Sequence, residues 1–201
     1  MPAHSLRARF KATVTGAILD AAEELAAEVG VPGTNLQAVA KRAGVAVGTI
    51  YNHFEDRSEL FAELFARRRE ELLETLDSAA KGTTRAGFEA QLESYVRTVF
   101  AYFDTRRAFL QLALDGHAPK PAPVRKAGQA HGSMEQLTLR AERIVRAGLK
   151  EKRLRAEAAD LAPYFLTAAL RAVLIARASS PKPLVDETAR VIDLFLKGTA
   201  R

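Results

Sequence analysis

The sequence predicts an all-α protein in two parts, a three-helix unit near the N-terminus followed by a larger helical bundle. Apolar residues recur at three- and four-residue intervals through most of the chain, and nothing alternates at β period for more than a few residues. The apolar stretches are bounded by Gly, Pro and Asn at places suited to helix ends. A length of 201 residues, with 48% apolar and 27% charged, is enough for one sizeable core or for a small domain plus a medium one.

The elements follow in order. Val14, Ile18, Ala21, Ala22, Leu25 and Val29 give the first helix its apolar face and leave Glu23, Glu24 and Glu28 outside. Gly30, with Pro32 and Gly33 beyond it, ends that helix. Asn35 is placed to cap a short second helix carrying Leu36, Val39, Ala40 and Ala43, and Gly44 turns the chain in a left-handed conformation. A third short helix is expected over 47–53 and a long fourth over 57–79, with Leu60, Phe61, Leu64, Phe65, Leu72, Leu73 and Leu76 as its stripe. Arg67 to Glu71 form its solvated side. Further helices are expected at 85–103, 105–114, 123–149, 156–178 and 184–197, about nine in all. Breaks fall at Gly82-Thr83-Thr84, Asp115-Gly116, the Pro119/Pro121/Pro123 segment, Gly148 with the charged run behind it, and Ser179 to Pro183. The domain division is 1–56 and 57–201, with the fourth helix bridging the two.

Composition narrows the function. There is no cysteine, which excludes disulfide stapling and thiolate chemistry. Met1 to Lys11 has charge without an apolar stretch behind it, so no signal peptide is expected. No window nears eighteen consecutive apolar residues, so no membrane span is read and a cytoplasmic location is expected. The net charge of +6 is poor evidence for nucleic acid, because residues 1–60 hold six Lys or Arg against seven Asp or Glu, while 121–201 hold fifteen against eight. No enzyme is read. Gly30 to Gly33 lacks the strand and lysine of a phosphate loop, and no serine sits in a nucleophile elbow. His131 and Glu135 share a helix face and, with His117, would be the one metal-ligand set to weigh; a polar pocket wall or a solvated pair is the plainer reading. No metal or cofactor is expected.

The segment from Asn35 to Arg57 carries the signal. Two short helices joined by a glycine turn cannot bury their apolar faces alone, so Val39, Ala40, Val45, Ile50 and Phe54 need the first helix beneath them. Small residues at Ala40 and Ala43 allow close approach, and the second helix of such a pair fits a DNA major groove. This is a helix-turn-helix. Residues 13–60 resemble the DNA-binding domain of the TetR family of bacterial transcriptional regulators. The match rests on Val39-Ala40, Ala43-Gly44-Val45, Gly48-Thr49-Ile50-Tyr51, His53-Phe54, Arg57 and Glu59-Leu60, with correct spacing throughout.

The resemblance implies a homodimer of nine or ten helices that represses transcription and leaves DNA when a small molecule binds. It implies phosphate contacts from Thr49 and Tyr51, a positioning contact from His53 near the DNA backbone, and a phosphate ligand at Arg57, where the family usually has Lys. Val47 and Asn52 lie where base edges are read, and Asn can pair bidentately with adenine. Gln37 starts the second helix and can reach a phosphate. Lys41 and Arg42 are read as steering charges, with solvated surface as the alternative. Arg7, Arg9 and Lys11, ahead of the first helix, are read as a minor-groove or phosphate arm, with a solvated tail as the alternative. One departure stands out. The family usually has Ser or Thr at Ala46, and alanine cannot cap the recognition helix. The other function weighed is a helical binding or adaptor protein on the same scaffold without sequence-specific DNA recognition.

For the second part, residues 161–176 are apolar around most of the helix, with Arg171 the one charge, and 184–196 carry a wide apolar face. A two-fold four-helix dimer interface is therefore expected from Phe165, Ala169, Ala172, Val173 and Ala176 with Val185, Thr188, Val191, Ile192 and Phe195. A large monomeric core is the alternative. Such a dimer would prefer an inverted-repeat operator in double-stranded DNA. A pocket for a small, largely apolar effector is expected from Tyr95, Val99, Phe103, Phe109, Leu110, His131, Met134, Leu137 and Phe165, against the alternative that these are core residues at helical spacing. The basic run from Arg140 through Arg155 reads as a solvated helix end, a site for an acidic ligand or partner, or a secondary nucleic-acid contact.

Overall fold

Helix ends follow the local chemistry closely. In the structure, a computed structural model describing residues 3–114 and 133–200, helix α2 spans Leu36–Ala43. The Asn35 side chain accepts from the Ala38 amide at 2.8 Å and caps its start, while Gly44 closes its end with φ 68°. Helix α1 spans Ala3–Gly33 with a break at Gly30, whose φ of 75° suits glycine. It begins earlier than its apolar pattern suggests, so Arg7, Arg9 and Lys11 lie on the helix rather than in an arm ahead of it. Helix α3 is Val47–Tyr51 and helix α4 is Arg57–Thr83. The remaining helices are α5 Phe88–Asp104, α6 Arg107–Leu114, α7 Ser133–Lys150, α8 Ala162–Arg177 and α9 Thr188–Thr199. Short 3₁₀ turns at Ala156–Ala158 and Leu184–Glu187 precede α8 and α9. Helix α8 starts later than the expected 156 because Pro163 lacks an N–H and fits only the first helical turn. The expected breaks at Asp115-Gly116 and Pro119 to Pro123 lie outside the described residues. Among those described, no helix is long and apolar enough to cross a membrane.

The chain forms two compact units, Met1–Arg68 with Ala108–Lys120, and Arg69–Arg107 with Pro121–Arg201. The division lies within α4 rather than at 56/57, and the reason is packing. Leu60, Phe61 and Leu64 are buried in one cluster with Ile18, Leu19, Val39, Ile50 and Phe54, and Leu112 joins them. Phe65 meets Phe109 with ring centroids 5.4 Å apart.

Two polar residues of this unit sit where periodicity expected solvent. Glu23 and Arg68 are 6% and 2% exposed. Arg68 Nε donates to Glu23 at 2.7 Å, and its Nη2 donates to Asp20. A charge enters a core of this kind only with a matched partner.

In the second unit α5 is the central helix, packing against α7 and α9, while α7 packs against α8. Phe88, Val96, Phe100, Leu166, Leu170, and Phe195 are buried in it. The break expected at Gly148 and the charged run behind it falls in that run, with α7 ending at Lys150. Gly148 itself lies in the last turn of α7, where a Cβ would stand 2.8 Å from two ring carbons of Phe88 and 2.9 Å from Leu154 Cδ1. The chain leaves α7 after Lys150 through Lys152, which has φ 57°. Glu151 then returns its carboxylate to the Phe88 amide at 3.1 Å, supplying the start of α5 with an acceptor that Gly87 lacks.

Candidate nucleic-acid interface

The recognition segment is built from the inside outward. Ile50 is fully buried, and Phe54, with its amide bonded to the Ile50 carbonyl at 2.9 Å, closes the unit beneath α3. With that side fixed inward, the helical rotation turns Val47, Gly48, Tyr51 and Asn52 to the solvent. Val47 is 39% and Tyr51 51% exposed, and nothing stands within 4 Å of the place a Cβ on Gly48 would occupy. Thr49 is half-buried and Asn52 forms the C-cap. The result is a five-residue helix with an open outer face of one aliphatic, one aromatic and one amide side chain.

Alanine at 46 has the consequence expected of it. It occupies the N-cap with extended backbone and no side-chain hydrogen bond. Thr49 N donates to the Ala46 carbonyl at 2.8 Å, leaving the preceding amides of α3 without a side-chain acceptor.

The surrounding polar residues divide into exposed and engaged groups. Gln37 and Lys41 are exposed on α2, and Arg9 and Lys11 are exposed on α1. Arg42, read as a steering charge, is bound bidentately to Glu28 at 2.6 and 2.8 Å and lies 3.8 Å from Glu24. The hydrogen bond from Arg42 holds the Glu28 carboxyl below its ordinary range. That guanidinium therefore serves α1–α2 packing rather than standing free for a phosphate. Arg57 donates Nη1 to the Pro32 carbonyl at 2.6 Å, tying the start of α4 to the segment after the Gly30 break. His53 is half-buried, with Nδ1 3.0 Å from Thr15 Oγ1. Sequence spacing shows none of these three contacts, because each joins residues remote in the chain.

The second-unit expectations fare differently. Tyr95, Val99, Phe103 and Leu137 are buried core residues, and Tyr95 donates its hydroxyl to the Leu137 carbonyl at 2.9 Å. Burial pushes the Tyr95 phenol far above its ordinary range and keeps it protonated. Phe109 and Leu110 belong to the first unit. Met134 is half-buried, Phe165 is 47% exposed, and His131 lies outside the described residues.

Of the residues expected at a dimer face, Thr188, Val191 and Phe195 are buried within the chain. Ala169, Val173, Val185 and Ile192 are half-buried, and Ala172 and Ala176 are exposed. Phe165, also expected there, is exposed, and the exposed apolar side of α8 and its start further carries Leu161, Tyr164 and Ile175, with Leu194 on α9. Periodicity marks α8 as apolar around most of its circumference and gives α9 a wide apolar face. Only packing decides which side stays outside.

Residues 18–64 match the family model described as bacterial regulatory proteins, tetR family. The HTH-type transcriptional regulator AcrR of Shigella flexneri is 50% identical over 48 residues, a stretch covering 24% of this chain and 22% of that protein. The chain thus spans about a fifth of that relative's length. Two solved structures share the fold over nearly the whole chain. The fatty acid degradation regulator FadR of Bacillus halodurans has a TM-score of 0.75 at 20% identity, covering 92% of this chain and 95% of that one. The transcriptional regulator FadR of Bacillus subtilis, solved in complex with stearoyl-CoA, has a TM-score of 0.70 at 19% identity, covering 90% and 97%. Residues 18–64 thus carry the helix-turn-helix segment of the tetR family model, and the fold is shared with both solved regulators along nearly the whole chain.

Proposed function

We propose that the chain is a sequence-specific, DNA-binding transcriptional regulator, a cytoplasmic repressor that pairs as a homodimer on an inverted-repeat operator and leaves it when a small effector binds. The observation that carries the reading is the outer face of α3. Val47, Tyr51 and Asn52 stand in solvent on a helix whose other side is anchored by Ile50. Tyr51 and Thr49 supply hydroxyls for phosphates, while Asn52 supplies the amide that reads adenine. Lys41, Arg9 and Lys11 add exposed positive charge, which steers association and makes it salt-dependent.

The exposed apolar residues Leu161, Tyr164, Phe165 and Ile175 support pairing of two copies through α8 and α9, because apolar surface spread along one side of a helix favours a partner. The stearoyl-CoA complex of the B. subtilis regulator supports an effector with a large apolar part. Such an effector lowers operator affinity by its preference for a state that cannot bind.

The test is selection of genomic fragments by the purified chain. An enriched inverted repeat is expected. Tyr51→Ala then weakens binding to all fragments, while Asn52→Ala changes preference at particular bases. Recovery of fragments without any shared two-fold sequence refutes the reading and leaves the adaptor alternative.

A further inference from the structure

One cleft in the second unit carries a surplus of positive charge. It has a volume of about 510 Å³, within the usual range for small-molecule sites, and lies among the last turns of α4, the first half of α5 and the middle of α7. Its apolar wall is Leu76, Ala79, Ala80, Ile144 and the ring of Tyr95.

Most polar donors around it are already engaged. Thr84 Oγ1 donates to the Ala80 carbonyl at 2.9 Å, and Thr83 Oγ1 to the Ala79 and Ala80 carbonyls at 3.3 Å. Gln91 Nε2 donates to the Ala86 carbonyl at 2.8 Å, and the Tyr95 hydroxyl to the Leu137 carbonyl at 2.9 Å. Arg140 grips Asp77 with Nε and Nη2 at 3.0 and 2.8 Å, so the one carboxylate of the lining is neutralised.

Two cations remain. Lys81 and Arg143 line the cleft, both exposed, and no ion pair holds either among the described residues. By contrast, the groove lined by Glu71, Glu74, Arg97 and Arg106 carries both signs, and Arg106 is already paired with Glu71 at 3.3 Å.

We propose that this cleft binds an anionic amphiphile, its carboxylate or phosphate held by Lys81 and Arg143 and its apolar body laid along Leu76, Ala79, Ala80 and Ile144. A neutral polar ligand finds few free donors here, and a cation meets like charge. An anion gains charge-assisted hydrogen bonds from two groups that have no other partner among the described residues. The proposal names the chemistry of the effector in the regulator reading and rests on that reading only for the effect on DNA.

The experiment is isothermal titration calorimetry of the full chain with decanoate, decyl phosphate, decan-1-ol and acetate. Decanoate and decyl phosphate are expected to bind at least about tenfold tighter than decanol, with acetate undetected. The double variant Lys81→Gln/Arg143→Gln should weaken decanoate by about tenfold or more while leaving decanol unchanged and the melting temperature intact. Lys150→Gln, an exposed cation outside the cleft, should behave as wild type. Equal affinity for decanol and decanoate, an unchanged double variant, acetate binding as tightly as decanoate, or no binding by any of the four overturns the proposal. Operator binding is measured separately. Its absence with decanoate affinity intact refutes the regulator reading alone, and operator binding without decanoate affinity refutes the cleft alone.

Discussion

Replacing Gly148 by alanine sets two opposed effects against each other, and the structure decides between them. In a helix interior alanine is favoured over glycine by about 1 kcal/mol, so propensity alone predicts a more stable protein. Yet the new methyl would lie 2.8 Å from Phe88 Cδ2 and Cε2 and 2.9 Å from Leu154 Cδ1, inside van der Waals contact. Neither neighbour can move aside cheaply. Phe88 is fully buried, its amide is held by Glu151 at 3.1 Å, and Leu154 is 3% exposed. Forcing a methyl into a packed site costs about 1–3 kcal/mol, so Gly148→Ala should lose about 1 kcal/mol net and no more than about 2. Urea unfolding followed by far-UV circular dichroism measures this as a lower midpoint at unchanged slope. Phe88→Leu, which shortens the opposing ring, should make Gly148→Ala much less harmful in the double variant. A midpoint raised by Gly148→Ala, or the same loss in both backgrounds, would refute the close-approach argument.

Other outcomes follow from the same geometry. Ala46→Ser restores an acceptor at the start of α3 and should stabilise that helix by about 0.5–2 kcal/mol, read as slower hydrogen exchange at the Gly48 and Thr49 amides; unchanged exchange would show that the missing cap does not fray α3. Arg68→Met strands Glu23 in the core and should cost about 3–5 kcal/mol in urea unfolding, with Glu23→Leu/Arg68→Met recovering most of it; a small loss in the single variant would show that water reaches the pair. Ile175→Glu places a charge on the exposed apolar side of α8, and sedimentation at micromolar concentration should then report a single chain of 21.9 kDa where the wild type reports two. A wild-type mass of one chain would remove the dimer.

The sequence alone determined the all-α class, the caps and the recognition motif, because these depend on residues close together in the chain. Asn35 caps α2, Gly44 turns it, Ala46 leaves α3 uncapped, and each is legible within a few residues. Three- and four-residue spacing likewise marks Ile18, Val39, Ile50 and Leu64 as core. What the tertiary structure decided is what periodicity treats as equivalent. A charge on a helix reads as solvated until another helix brings its partner, so Glu23 and Arg68 could be recognised as buried only once α1 and α4 meet. Gly148 reads only as the mark of a helix end until a ring is found against it, as Phe88 is. A helix apolar around most of its circumference, such as α8, does not say which side remains outside. That choice is made by the long-range packing that buries Leu166 and Leu170 and leaves Tyr164 and Ile175 in solvent, since burial belongs to pairs of surfaces rather than to one helix.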